Sequence, residues 1–554
     1  MTRRRNVFGP CVRNNPIQAV IPREWKGPGT LNRDSGTLMQ RGVGQMSFSS
    51  LGQSFEEAFS KQGAKTAITF FRKGRPESEI SYSDLIRDMK GMAEVFTQNG
   101  VKKGDRVILF FPKSLLFVTA HLALQTLGAI AVPLNPGFKK AEMAYFVRDA
   151  GATLVMCGPD QTGMIREIDP GQAQMRVDPG RPYQDLDLFP SKTGSIPPAP
   201  LSPDDAALII YTSGTTGKPK GAVLTQKNLI SDARNIIEIW EISESDVLCH
   251  ALPLFHVHGL CFALHTTLLA GAHVLMLDEF SPPNVLDILA NREKDPVCTL
   301  FMAVPAIYGK LMDTLGDERR DFSHMRLWTS GSAPLLPKDF DRIRETFGKE
   351  PVEREGMSET GMNFSNPVRG VRKPGSIGVP LPGLQVRIVD PETFQDVTPG
   401  TPGEIWLKGP CITPGYWEKP EETAETFHDG WFRTGDLGKV DEEGYYYLTD
   451  RIKHIIISGG ENISPKEIEA VINRMDNVVE SSVVGLPDEK WGELVVAAVV
   501  PRPGADVHPE DVRQVCKQHL HDWKCPKQFV FLEELPKNTM GKVLKDEVKK
   551  AFDV

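Results

Sequence analysis

Ala206-Ala207-Leu208-Ile209-Ile210-Tyr211-Thr212-Ser213-Gly214-Thr215-Thr216-Gly217-Lys218-Pro219-Lys220-Gly221 opens as an apolar run and closes as a polar loop. Six residues without a charge read as a buried strand. From Tyr211 to Gly221 the chain then carries four serine or threonine hydroxyls, three glycines and two lysines. Ala222-Val223-Leu224-Thr225 starts a second strand. Glycines let backbone approach phosphate oxygens, while hydroxyls and amides donate to them. Lysines offset phosphate charge. A surface turn needs no such density of donors. The register is not that of a Walker A loop, because Thr212 stands where that loop needs glycine.

Outward from this loop the chain alternates helices and apolar strands. Ser83 can cap a helix with Leu85, Met89, Met92 and Phe96 on its apolar face, ended by Asn99-Gly100. Arg106 to Phe111 reads as a buried strand. Leu116 to Leu134 holds His121, Gln125 and Gly128, and so reads as a buried helix and strand rather than a membrane span. Such alternation implies a largely parallel sheet covered on both faces. Between Pro380 and Lys439 short strands with Gly and Pro turns suggest a β-rich subdomain. Strand-helix units resume after Arg451, which places a domain boundary at Asp450–Lys453. The expected division is 1–45 as an extension, 46–450 as a large domain and 451–554 as a small one.

The 554 residues exceed one ordinary core. A net charge of −8 gives no electrostatic footprint for nucleic acid. The eight cysteines form no CxxC pair, which argues against a disulfide framework or a zinc site and for a reducing compartment. Residues 1–45 differ, with eight Lys or Arg against Glu24 and Asp34. A mitochondrial transit peptide would be Arg-rich and poor in acids. Pro10, Pro16, Pro22 and Pro28 would break any amphipathic helix there, so a disordered extension is the favoured reading. The cytoplasm is the expected location, with the mitochondrial matrix as the alternative.

Further motifs follow in order: Gly331-Ser332-Ala333-Pro334, Gly356-Met357-Ser358-Glu359-Thr360, Gly403-Glu404-Ile405, Gly415-Tyr416-Trp417, Trp431 to Asp436, Asp450-Arg451-Ile452-Lys453 and Asn538-Thr539-Met540-Gly541-Lys542. With the loop Tyr211–Gly221, this ordered set resembles the adenylate-forming superfamily of acyl-CoA synthetases, luciferases and adenylation domains from about Phe48 onward. The resemblance implies an α/β fold: a large N-terminal domain of α/β sheets with a β-rich subdomain, and a small mobile α+β C-terminal domain. It implies an enzyme that uses ATP and Mg²⁺ to turn a small carboxylic acid into an acyl-adenylate, then passes the acyl group to coenzyme A. No membrane span is expected, and the protein would be a monomer or homodimer.

The resemblance also assigns residues. Thr212, Ser213, Gly214, Thr215, Thr216, Gly217 and Lys220 would hold the phosphates, with Gly331, Ser332, Glu355, Gly356, Met357 and Ser358 completing the nucleotide site. Lys542, Glu359 and Thr216 would be catalytic, and Glu359 would help hold Mg²⁺. Asp436 would accept the ribose hydroxyls, with Arg451 on ribose or phosphate. Lys453 would be the hinge, and Gly459 and Gly460 would approach the pantetheine arm. One departure stands out. Glu355 occupies a position where the family usually stacks an aromatic ring on adenine.

For the acid, Leu252 to Leu260, Phe301 to Pro305 and Gly361 to Pro367 are particularly similar to malonyl-CoA synthetases. His256 would gate the pocket. A dicarboxylate needs a cation for its far carboxylate. Arg326 is the candidate, supported by His258; a scaffold role for Arg326 is the open alternative. Malonate or methylmalonate is the expected acid. The alternatives are a medium- or long-chain fatty acid ligase and a carrier-protein-loading adenylation enzyme.

Overall fold

The computed structural model describes residues 49–186, 199–212, 218–293, 295–459, 461–538 and 541–552. The basic residues 1–45 and most of the hydroxyl-rich loop expected to hold phosphates, 213–217, lie outside this set.

Two sheets form the large domain's α/β part. One has nine strands, in the order Val379–Pro380, Gly361–Ser365, Val352–Met357, Leu327–Ser330, Leu300–Ala303, Val247–His250, His273–Leu277, Thr66–Arg72 and Arg75–Ser81. Its central pairs are parallel. The other has six strands and ends in the antiparallel pair Ala206–Thr212 and Lys220–Thr225, with Thr212 opposite Lys220. The quoted stretch therefore opens on one strand of an antiparallel pair and ends on the other.

Local signals explain the helices. Tyr82–Gln98 begins at Ser81, not Ser83. The Ser81 hydroxyl accepts from the Asp84 amide at 3.1 Å, and Asp84 accepts in turn from the Ser81 amide. That reciprocal box decides between two serines that could each cap. Leu115–Leu127 is buried almost throughout and ends at Gly128, whose φ of 70° only glycine adopts freely. Each large apolar side chain it buries contributes about 1.5–3 kcal/mol. Its one buried histidine, His121, shares a 2.8 Å bond with His265 at the end of the π-helical turn His258–His265.

The β-rich part is a five-stranded antiparallel sheet built from Gln385–Val389, Gly403–Lys408, Trp431–Val440, Phe427–His428 and Tyr446–Arg451. The small C-terminal domain has its own five-stranded sheet, Glu461–Ile463, Ile456–Ser458, Gly492–Pro501, Val478–Asp488 and Gln528–Phe531. Its core of Ile456, Ile463, Ile468, Ile472, Val483 and Val499 is closed by helices Pro465–Ile472 and Pro509–His519. Among the described residues no helix is long and apolar enough to cross a membrane.

Candidate active site

Ligands in open α/β sheets gather at the carboxyl ends of the strands. In the nine-stranded sheet that edge carries the loop after His250, Gly331-Ser332 after Leu327–Ser330, and the turn Ser358–Glu359 after Val352–Met357. Gly356 is required there, because a Cβ would lie 2.5 Å from the Gly361 carbonyl oxygen across the hairpin.

Glu359 is buried, and its Oε1 accepts twice: from the Tyr416 hydroxyl at 3.0 Å and from the Thr212 hydroxyl at 3.4 Å. The Lys220 ammonium stands 5.4 Å from the Tyr416 ring. Burial and the Glu359 charge both hold the Tyr416 phenol protonated, so it stays a donor. The base of the phosphate loop thus meets a carboxylate, an ammonium and two hydroxyls.

A second cluster lies on the β-rich sheet. Asp436 and Arg451 are cross-strand partners, and Arg451 grips the carboxylate with both arms of its fork, at 2.6 and 3.2 Å. Glu355 accepts from Asn363 at 3.0 Å. Burial, then the nearby charge of Asp436, pushes its carboxyl up to about 7. No aromatic ring stands at this position; a carboxyl that accepts a hydrogen bond from the Asn363 amide does.

Lys542 joins the two clusters from the small domain. Burial first, then the positive charges of Arg451 and Lys453, draws its ammonium down to about 8, against the pull of Asp436 and Glu359. The backbone before it fits closely. Gly541 has φ 76°, and a Cβ there would lie 2.9 Å from Ala306 of the large domain. Lys453 follows Arg451 in the short turn Ile452–His454, between the two domains' sheets. Gly459 packs instead against Trp491 of the small sheet, its amide donating to the Trp491 carbonyl at 2.7 Å. Gly460 lies outside the described residues.

The third cluster surrounds Gly331. The Ser332 hydroxyl and His258 Nδ1 are 3.2 Å apart, and Ser332 holds a left-handed φ of 68°. His258 is buried and its Nε2 has no hydrogen bond. Burial, then the charge of Arg354, keeps it neutral. His256 is drawn down to about 4 by burial. The His258–His265 turn is π-helical, an irregularity often kept at functional sites. Gly259 anchors its start, since a Cβ there would stand 2.0 Å from the Pro253 carbonyl oxygen.

Arg326 is not part of this cluster. It precedes strand Leu327–Ser330, at the opposite end from Ser332. There its Nε and Nη2 grip Asp246 at 2.8 Å each, and its Nη1 and Nη2 donate to the carbonyls of Trp240 and Glu241. Asp246 also accepts from Thr299 at 2.9 Å. Every arm of the Arg326 fork is engaged, so the residue is scaffold and the reading of it as a substrate cation is corrected.

The cation that does stand at Gly331 is Arg354, which sequence reasoning missed. It is 2% exposed, and its Nε, Nη1 and Nη2 all lack a hydrogen-bond partner. Its Cζ lies 5.1 Å from the Phe262 ring centre. A Cβ on Gly331 would sit 2.6 Å from its Nε. Burial draws it down to about 10, still charged at neutral pH. The charges of Glu355 and Asp232 offset part of that burial, but a buried guanidinium without a hydrogen bond is still costly. The available signal was strand alternation, which turns Arg354 to the face opposite Glu353 and Glu355.

The comparisons with known proteins fit this geometry. The AMP-binding enzyme family matches residues 55–417, and the AMP-binding enzyme C-terminal domain matches 467–542. An oxalate–CoA ligase of Arabidopsis thaliana is 35% identical, over 85% of this chain and 92% of its own. The mitochondrial malonate–CoA ligase ACSF3 of Bos taurus is 34% identical, over 84% and 86%. The crystal structure of ATP-bound MatB from Rhodopseudomonas palustris superposes with a TM-score of 0.85 at 37% identity, covering 91% of this chain and 99% of that one. The two family models and these relatives together span nearly the whole described length: the chain belongs to the AMP-binding enzyme family and is an AMP-forming acyl-CoA synthetase.

Proposed function

We propose that the protein ligates malonate or methylmalonate to coenzyme A. The observation that carries this is the guanidinium of Arg354, buried near His258 and Gly331 with no hydrogen bond on any of its three nitrogens. A second carboxylate on the acid would supply the missing partner, in the bidentate geometry an Arg fork favours. A monocarboxylate would leave the three Arg354 nitrogens buried without a hydrogen bond.

In this reading one carboxylate oxygen of the acid attacks the α-phosphorus of ATP and diphosphate leaves. The thiol of CoA then attacks the acyl carbonyl and AMP leaves. Thr212 to Gly217 and Lys220 cradle the phosphates, and Ser358 faces the α-phosphate. Gly331, Gly356 and Met357 give backbone access to the nucleotide. Asp436 accepts the ribose hydroxyls while Arg451 holds it in place. Lys542 offsets the charge that grows as the α-phosphorus is attacked. Glu359, with phosphate oxygens, suits a magnesium ion, which is commonly held by one or two carboxylates and substrate phosphates. When bound, that ion neutralises phosphate charge. Among the described residues no group of three or more His, Cys, Asp or Glu side chains forms a ready metal cage, and a magnesium ion of this kind needs none.

The domain boundary falls at Asp450–Lys453. Lys453 is the hinge about which the small domain turns after adenylation, bringing Gly459 and Gly460 toward the pantetheine arm. All seven described cysteines are buried and free, which supports a reducing compartment, the cytoplasm or the mitochondrial matrix.

The test is AMP formation with ATP and CoA on oxalate, malonate, methylmalonate, acetate, octanoate and palmitate. Malonate or methylmalonate should give the highest kcat/KM. Highest efficiency on octanoate or palmitate would reject the dicarboxylate reading.

A further inference from the structure

Helix Pro337–Phe347 of the large domain begins beside the small domain. Lys338, its second residue, reaches across and donates to three backbone carbonyls: Asn473 at 3.3 Å, Val478 at 3.2 Å and Val479 at 2.6 Å. Asn473 caps the carboxyl end of helix Pro465–Ile472, so the ammonium stands at the negative pole of that helix. A lysine offers three donors on a point charge, and here each finds a carbonyl.

The same helix is held at its other end. Asp450 accepts from the Ser464 hydroxyl at 2.5 Å and from the Lys466 amide at 3.0 Å. That grip lies next to the connection between the domains. The Lys338 grip lies at the far end of the helix and joins segments 135 or more residues apart. Two grips at opposite ends of one helix fix its orientation, where one would leave it free to pivot. The helix belongs to the same compact sheet domain that carries Gly541-Lys542 against Ala306.

We propose that Lys338 is a positioning residue: it holds the small domain in the orientation that delivers Lys542 to the nucleotide site, and it serves adenylate formation only. The inference rests on the two-step reaction proposed above. Lys338 itself does not touch the reacting atoms. Asp339, Arg342, Glu480 and Arg502 surround it electrostatically without replacing its three bonds.

The test separates the two half-reactions in the full chain. Adenylation is followed by diphosphate exchange into ATP, and thioester formation by CoA addition to supplied acyl-adenylate. Lys338→Ala should lower the adenylation kcat about tenfold, the scale of one lost charge-assisted hydrogen bond, with the KM for the acid unchanged. Thioester formation should keep its rate, and Lys338→Arg should recover most of the adenylation loss. Equal loss in both half-reactions, or no loss in either, would overturn the inference. A second measurement needs no turnover: the rate of tryptic cleavage at Arg451 and Lys453 should rise several-fold in Lys338→Ala, and an unchanged rate also counts against the inference. Absence of diphosphate exchange in the unaltered protein with every acid would sink the ligase reading instead, and the cleavage rates would still decide the role of Lys338.

Discussion

The hydroxyl of Tyr416 donates to Oε1 of Glu359 at 3.0 Å, across 57 residues of sequence. Gly415-Tyr416-Trp417 is placed for this by the backbone: the Trp417 amide donates to the Gly221 carbonyl, and the Thr413 amide to that of Glu359. A turn from the β-rich part is thereby sewn to both the phosphate hairpin and the Glu359 turn.

Tyr416→Phe should therefore disturb Glu359 without removing it. A hydrogen bond to a charged group is worth about 1.5–3 kcal/mol. The Mg²⁺ concentration giving half-maximal adenylation should rise about tenfold, with little change in the KM for the acid. An unchanged magnesium titration would show that Glu359 keeps its place without the phenol.

Lys542→Ala should lower adenylation by about 10²–10³, the usual scale for losing one donor aimed at developing charge. Thioester formation from supplied acyl-adenylate should survive. The pH profile carries a second signature. Lys542 is drawn down to about 8 by burial and neighbouring cations, so its ammonium is present below that pH and lost above it. The kcat/KM for ATP, which reports the free enzyme, should fall as pH rises past about 8. A profile flat to pH 10 would contradict the role.

Arg354 and Arg326 should separate cleanly. Arg354→Met should cut kcat/KM for malonate about 10²-fold or more while sparing acetate, because a hydrogen-bonding site discriminates by what it would leave unpaired. Arg326→Ala should act on the fold instead. It strips the buried Asp246 carboxylate of its bidentate partner, a loss of about 3 kcal/mol. Thermal melts should show it, and the ratio of malonate to acetate efficiency should not move. A change of that ratio in Arg326→Ala would restore it as a substrate cation.

Glu355 predicts a pH-dependent nucleotide affinity. With its carboxyl pushed up to about 7 by burial and Asp436, the side chain is neutral below that pH and charged above it. A second negative charge beside Asp436 should raise the KM for ATP several-fold between pH 6 and pH 8. Glu355→Gln should remove that dependence. A KM with equal pH dependence in both forms would exclude Glu355 as its source.

Much of this site was legible because its residues announce themselves by order. Thr212, Glu359, Asp436 and Lys542 sit in separate motifs of one resemblance, and the structure gathers them around one place. The alternation of apolar strands and helices also pointed to a parallel sheet, though not to its division into one of six strands and one of nine. What stayed hidden depends on partners distant in sequence. Arg326 stayed open between a substrate cation and a scaffold residue because Asp246, 80 residues earlier, is invisible until the strands are laid side by side. Arg354 drew no reading from the sequence, where it stands between Glu353 and Glu355. Only the pleat, which turns it toward Phe262 and Gly331, leaves it without a hydrogen bond. Glu355 was read for the ring it lacks, whereas Asn363 and Asp436 give the carboxyl surroundings of its own.

The cross-strand pairing of Asp436 with Arg451 has a mechanical meaning. It is the last rung of the β-rich ladder before the chain leaves for the small domain. In the proposed reaction one ion pair therefore serves both as the pin of a swivel and as the seat of the ribose. Torque on the connection and occupancy of the nucleotide seat bear on the same carboxylate. Removing Asp436 would loosen the pin as well as empty the seat, so a defective Asp436→Ala protein measures two losses at once.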